Sequence, residues 1–180
     1  MKIAIIGAGA AGIIAAITAK RLNKNLHIDL FDANKGIGKK ILASGNGRCN
    51  ISNNQITSKN YLGENPDFTS FALKEFDFKA FEKFCKSIGL LLDIKPSGKV
   101  YPLSNEAKSV TNLLELALQE LGVNIYLESM ITDIEKVEDK FNIKTQEYEY
   151  KAYDKVLIKW FRCSSTIKCK RKWFRFRFKI

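Results

Sequence analysis

Residues 3–12 read Ile-Ala-Ile-Ile-Gly-Ala-Gly-Ala-Ala-Gly, an apolar run that passes directly into the spacing G-x-G-x-x-G and then into an alanine-rich stretch. This order constrains the fold tightly, because each glycine answers a separate steric demand of a strand–turn–helix unit built around a phosphate. Gly7 permits the tight turn out of the strand, Gly9 lets the backbone approach a pyrophosphate, and Gly12 lets the helix pack close to its strand. A helix beginning near Ala10 presents the unpaired amides of its first turn, those of Ala10 and Ala11 among them, at the positive end of the helix dipole. Such a helix start binds an anion without any basic side chain.

The flanks agree with that reading. A second apolar run, Leu26 to Phe31, ends in Asp32, 20 residues beyond Gly12. A carboxylate at about that distance accepts hydrogen bonds from an adenosine ribose and disfavours a ribose phosphate. The plainer alternative for Asp32 is a solvated residue at a strand end.

Residues 3–19 carry no charge and follow Lys2, which is also the outline of a secretory apolar core. Three glycines at phosphate-loop spacing argue against a leader. The run is short for a membrane span, and no later segment approaches the roughly 20 apolar residues a span needs. A cytoplasmic chain without membrane contact is expected. Cys49, Cys85, Cys163 and Cys169 form no C-x-x-C pair and make no ligand set with the single histidine, His27, so no metal is expected.

Charge is unevenly spread. Of the net +11, residues 159–180 contribute nine cations and no acid, whereas residues 1–158 hold 21 basic and 19 acidic residues. Both tryptophans lie in that tail, and all eleven glycines lie at or before Gly122. The composition therefore divides the chain into a nearly neutral body, 1–158, and a basic aromatic tail, 159–180.

The body reads as an α/β domain. It opens with a strand at 2–6, a helix at 10–22 and a strand at 26–31, followed by a long connection from Asn34 to Asn54. Phe68, Phe71, Ala72, Phe76, Phe81, Phe84, Cys85 and Ile88 recur at helical spacing, which predicts two short helices broken near Asp77 with their aromatic stripe in the core. Residues 90–103 form a hairpin turning at Pro96-Ser97-Gly98, and Ser104-Asn105 opens a helix that runs through Leu121 and stops at Gly122. Strands near 123–127, 130–137, 140–145 and 147–158 complete the body. The expected fold is an incomplete Rossmann-like domain with a parallel sheet, a helical insertion over about 65–122 and a β-hairpin.

The long connection carries the second signal. Residues 36–53 read Gly-Ile-Gly-Lys-Lys-Ile-Leu-Ala-Ser-Gly-Asn-Gly-Arg-Cys-Asn-Ile-Ser-Asn. Gly45 and Gly47 let a loop pass a planar ring or a phosphate without a side-chain clash, and Lys40 and Arg48 offer positive charge. Ser44, Asn50 and Asn53 can bond ring edges or, equally, close turns through their own backbone, and Lys40 can simply be solvated. Cys49 beside Arg48 reads either as a redox thiol or as a small buried residue.

In this stretch the chain resembles the BaiN/YhiN-type flavoproteins, which are NAD(P)/FAD-dependent oxidoreductases. The shared pattern is G-x-K-x-x-x-S/T-G-x-G-R-C-N-x-S/T-N, met here at Gly38, Lys40, Ser44, Gly45, Gly47, Arg48, Cys49, Asn50, Ser52 and Asn53. The hairpin Gly98-Lys99-Val100-Tyr101-Pro102 and the strand entry Gly122-Val123 extend the likeness to about residue 158. The resemblance implies an FAD-binding Rossmann-like region. Its cofactor contacts would come from Gly7, Gly9, Ala10, Ala11, Gly12, Asp32, Lys40, Ser44, Gly45, Gly47, Arg48 and Asn50. It further implies NAD(P)H as the electron donor, flavin as the relay, and an unidentified acceptor, a small molecule with a reducible carbon–carbon double bond being one candidate. No side chain of the body is assigned as a catalytic acid.

Members of that family run well beyond this length, continuing after the strand that matches 154–158 with a small-residue Gly-Gly turn. This chain gives Lys159-Trp160-Phe161-Arg162 instead. The genetic code supplies a reason. In the next reading frame every Trp codon followed by a Phe codon becomes a Gly codon, so Trp160 and Trp173 both become glycine, and residues 159–165 can read Ser-Gly-Phe-Ala-Ala-Pro-Gln. The tail is thus expected to be a non-native product of a frameshift near codon 159, leaving a truncated, inactive N-terminal fragment of the oxidoreductase. Two alternatives stay open for it: a nucleic-acid arm, in which case the body would be a non-enzymatic nucleotide-binding module with an RNA-binding tail, or a membrane-surface contact. The abrupt change of composition and the two forced glycines argue against both.

Overall fold

The structure, a computed structural model, describes residues 1–62 and 67–158. The basic tail, with its frameshift and binding-arm readings, lies outside the described residues.

The chain begins with β1 (Lys2–Ile6), α1 (Ala10–Leu22) and β2 (His27–Phe31). The long connection then holds a short α2 (Lys39–Ala43), a turn at Ser44–Gly47 and a two-residue β3 (Ser52–Asn53). Next come α3 (Phe68–Glu75), α4 (Phe78–Ser87), β4 (Leu92–Ile94), β5 (Lys99–Pro102) and α5 (Ala107–Glu120). Five strands close the body: β6 (Asn124–Tyr126), β7 (Asp133–Val137), β8 (Lys140–Lys144), β9 (Glu149–Tyr153) and β10 (Lys155–Ile158).

The central sheet has the order β10-β1-β2-β6, and every pairing in it is parallel. An all-parallel central sheet is what a Rossmann-like domain requires, here with helices on one face and an antiparallel sheet on the other. Its two faces bury different residues. Ile5, Ile28 and Leu30 pack with Ile13, Ala16 and Ile17 of α1 and with Val110, Leu114 and Leu118 of α5. Ala4, Ile6 and Phe31 point the other way, toward Ile143 and Tyr153 of an antiparallel sheet in the order β7-β8-β9. Burying each of these large side chains contributes about 1.5–3 kcal/mol. A second antiparallel sheet, β3-β5-β4, encloses the expected hairpin.

Several expectations shift in detail. The strand foreseen over 147–158 is two strands: β9 pairs antiparallel with β8, whereas β10 pairs parallel with β1. The break falls at Asp154, whose amide donates to the Lys2 carbonyl at 2.8 Å and whose carboxylate accepts the Lys2 amide at 2.6 Å and pairs with Lys140. α5 starts at Ala107, not at Ser104, because Asn105 takes a left-handed φ of 56° that no helix residue can hold. The aromatic stripe is core only in its second half. Cys85 is buried and Phe81, Phe84 and Ile88 pack on the core, but Phe68 and Phe71 of α3 are 73% and 75% exposed. Among the described residues no helix is long and apolar enough to cross a membrane.

Candidate functional site

The candidate site lies at the carboxyl ends of β1 and β2, the edge at which parallel sheets of this kind bind their ligands. Leaving β1, Gly7 adopts φ 104° and its amide donates to the Phe31 carbonyl at 2.7 Å, which turns the chain sharply toward α1. A Cβ on Gly12 would lie 2.0 Å from the Gly7 carbonyl oxygen, so the fold itself demands that glycine. Gly9 differs. It caps α1 with φ −86° and ψ −176°, an extended geometry open to any residue. Its lack of a side chain therefore answers no backbone demand and fits the close approach of a ligand.

α1 has no side-chain cap and no acid in its first turn. The amides of Gly9, Ala10, Ala11 and Gly12 have no intrahelical acceptor, and none is bonded to another group among the described residues. Ala10 and Ala11 are exposed. Four amides at the positive end of a 13-residue helix suit the charge of a pyrophosphate.

Asp32 lies beside this turn. Its carboxylate accepts the Ala8 amide at 2.7 Å through Oδ2, and the Asn34 amide and side-chain Nδ2 at 2.9 and 2.7 Å through Oδ1. Its backbone is tied to the exit of β6, since its amide donates to Tyr126 and its carbonyl accepts from Ser129, both at 2.9 Å. Asn34 was not foreseen from the sequence, although an Asp-x-Asn step after a strand is the signature of an Asx turn.

The second signal is joined to the first through Gly38, whose amide donates to the Ala8 carbonyl at 2.7 Å. Gly38 has φ 68°, and a Cβ there would meet Thr111 of α5 at 2.8 Å. Lys40 sits exposed on α2. The turn that follows is not a regular helix, because Gly45, Asn46 and Gly47 take left-handed φ values of 57°, 56° and 82° in succession. A Cβ on Gly45 would press on the Asn50 amide at 2.8 Å, whereas the space beside Gly47 is open.

Within this loop the side chains mostly bond locally. Ser44 donates to the Ile41 carbonyl at 2.8 Å, and Asn50, with its amide turned to suit its neighbours, donates to the carbonyls of Val100 and Ser52 at 3.3 and 3.1 Å. The exposed Arg48 guanidinium lies 5.6 Å from the centre of the Tyr101 ring, a cation–π contact that connects the loop to β5. Tyr101 was singled out only as part of a hairpin match. Cys49 is 2% exposed and left-handed at φ 59°, which makes it a buried packing residue of this structure.

Away from this site, Asp29 in the middle of β2 is 1% exposed and fully partnered. It accepts from Tyr153 at 2.6 Å and from Asn124 at 2.8 Å, with the His27 ring at 3.1 Å and the Lys2 ammonium at 3.8 Å. Burial and the adjacent Asp29 carboxylate push the Tyr153 phenol well above its ordinary range. Burial, with Glu82 nearby, pushes the Cys85 thiol up to about 12, so it carries no nucleophilic thiolate near neutrality.

Comparison with known proteins agrees with this geometry. The HI0933-like protein Rossmann domain matches residues 1–164. A 3-dehydro-bile acid delta(4,6)-reductase of Clostridium scindens is 37% identical over 157 residues, covering 87% of this chain and 38% of the relative. A ribosomal RNA dihydrouridine synthase of Haemophilus influenzae is 31% identical over 140 residues, covering 78% of this chain and 34% of the relative. The chain thus spans little more than a third of the length of these relatives. Among solved structures, Thermovibrio ammonificans THI4 superposes with a TM-score of 0.56 at 11% identity, over 84% of this chain and 54% of that one. FqzB superposes with a TM-score of 0.52 at 15% identity, over 88% and 35%. These likenesses establish the fold alone. With a glycine-spaced β1–α1 turn, an acid just past the end of β2 and a family match over nearly its whole length, the chain belongs to the HI0933-like Rossmann-domain flavoprotein family.

Proposed function

We propose that this chain is the dinucleotide-binding portion of an FAD-dependent oxidoreductase that draws electrons from NAD(P)H and reduces a carbon–carbon double bond. The observation that carries the reading is the set of amides from Gly9 to Gly12 without intrahelical acceptors beside Asp32, because it offers anion binding and a ribose acceptor side by side. The amides of Gly9, Ala10, Ala11 and Gly12 would hold the pyrophosphate, and Asp32 the adenosine ribose. The loop of Gly45, Gly47 and Arg48, with Lys40 and Asn50, would supply positive charge and a close-fitting wall for the ring. Bound flavin would supply the two-electron chemistry, receiving hydride from a reduced nicotinamide and passing it to the acceptor.

The acceptor class rests on the relatives' names. A delta(4,6)-reductase saturates carbon–carbon double bonds, and dihydrouridine is uridine with its ring double bond saturated. Both reductions add hydride to one carbon and a proton to its neighbour. Among the described residues no side chain is assigned as the donor of that proton, and the 180-residue chain is expected to bind flavin without turning over. Reconstitution with FAD followed by NADPH and NADH oxidation assays tests this. Stoichiometric yellow protein with negligible turnover is expected, and saturable NAD(P)H oxidation would contradict it.

Residues 159–180 are read as the product of a frameshift near codon 159. The family match runs to residue 164, six residues past the break in composition, so sequencing must cover codons 159–165. An insertion or deletion there that restores a glycine turn and a long flavoprotein-like frame is expected. A downstream sequence without such a frame would return the tail to the binding-arm reading.

A further inference from the structure

We propose that Asn34 restricts Asp32 to a single ribose hydroxyl, so that the site reads one hydroxyl of the adenosine ribose and ignores the other; this rests on the nucleotide reading above. An ionised carboxylate has about four lone-pair positions. On Asp32 three are filled by the protein. Both positions of Oδ1 are taken by Asn34, through its amide at 2.9 Å and its Nδ2 at 2.7 Å, and one position of Oδ2 is taken by the Ala8 amide at 2.7 Å. One position on Oδ2 is left for a ligand. A vicinal diol that straddles a carboxylate needs one position on each oxygen, and Oδ1 has none.

The orientation of the Asn34 amide is determined from both sides. Its Oδ1 accepts the Lys39 ammonium at 3.1 Å while its Nδ2 faces the carboxylate, and reversing the amide would set oxygen against carboxylate and NH2 against ammonium. The segment does not depend on that side chain for its path. Asp32 is held to Tyr126 and Ser129 by two backbone bonds at 2.9 Å, and the Asn34 carbonyl accepts the Glu128 amide at 3.0 Å. Asn34→Ala should therefore keep the backbone and open one lone-pair position on Oδ1.

Calorimetric titration of the 180-residue chain with ADP, 2′-deoxy-ADP and 3′-deoxy-ADP tests the proposal, with unliganded melting and circular dichroism as folding controls. For the wild type, one deoxy analogue should bind about tenfold or more weakly than ADP, as expected for losing a hydrogen bond to a charged group, and the other within about twofold. In Asn34→Ala the second analogue should weaken as well, because the diol can now straddle both oxygens. Weakening of both analogues in the wild type overturns the proposal without any variant, and an unchanged pattern in Asn34→Ala overturns the role of Asn34. A purely structural Asn34 would lower all three affinities alike. If ADP binds with no discrimination, Asp32 is not the ribose acceptor, and if ADP does not bind, the nucleotide reading itself fails.

Discussion

Tyr153, at the end of β9, donates its hydroxyl to Asp29, in the middle of β2, at 2.6 Å, and so adds a buried hydrogen bond to the apolar contact between the antiparallel and the parallel sheet. The lysine at the start of β1 reinforces the same spot, its ammonium lying 4.2 Å from the centre of the Tyr153 ring. The neutral phenol is the form that folds, since its ionisation is pushed upward by burial and by Asp29.

Tyr153→Phe should cost about 1–3 kcal/mol, because it leaves the buried Asp29 carboxylate one donor short while preserving the ring. Urea denaturation at neutral pH measures it. The raised phenol adds an alkaline limb: its contribution is complete below the ordinary tyrosine range near pH 10 and is lost as pH rises above it. Phenylalanine should flatten that limb. A variant as stable as the wild type, with the same alkaline profile, would show that the bond does not hold the sheets together.

Asp154 supplies the acid limb. Its carboxyl is held below the ordinary range, first by the hydrogen bond from Lys140 and then by the Lys2 amide. A lowered carboxyl contributes stability above its unfolded value, near pH 4, and loses that contribution as pH falls through the folded value. Stability should therefore drop more steeply between about pH 5 and about pH 3 in the wild type than in Asp154→Asn. Parallel acid limbs in chemical denaturation would contradict this.

Phe71→Ser should change stability by no more than about 0.5 kcal/mol, as for other exposed positions, whereas Ile28→Ala should cost about 2–5 kcal/mol. Thermal melts compare them. A loss above about 2 kcal/mol at Phe71 would mean that α3 buries its aromatics after all.

That contrast marks what the sequence can disclose. The β1–α1 turn is legible because Gly7 and Gly12 meet local steric demands within a few residues of each other, and Asp32 follows from the fixed length of one β–α–β unit. Helical spacing at Phe68 and Phe71 reveals a shared face but not whether another element covers it. The division of 147–158 at Asp154 is invisible for a different reason: the alternation Tyr150-Lys151-Ala152-Tyr153 suits one continuous strand, and the break is imposed by Lys2, at the other end of the chain. Asn34 and the Arg48–Tyr101 contact are likewise matters of tertiary placement, although the Asp-x-Asn step and the hairpin match lie in plain view.

The most direct measurement is FAD binding by Gly9→Val, followed by calorimetry and by flavin absorbance. The extended geometry at Gly9 accepts a β-branched residue, so the variant should fold, with only the about 1 kcal/mol loss of a weaker helix cap. Its side chain would fill the approach to the Gly9–Gly12 amides. A folded variant that binds no FAD, beside a wild type that binds one equivalent, is the expected result; a variant that binds FAD as tightly as the wild type would contradict the assignment of the site.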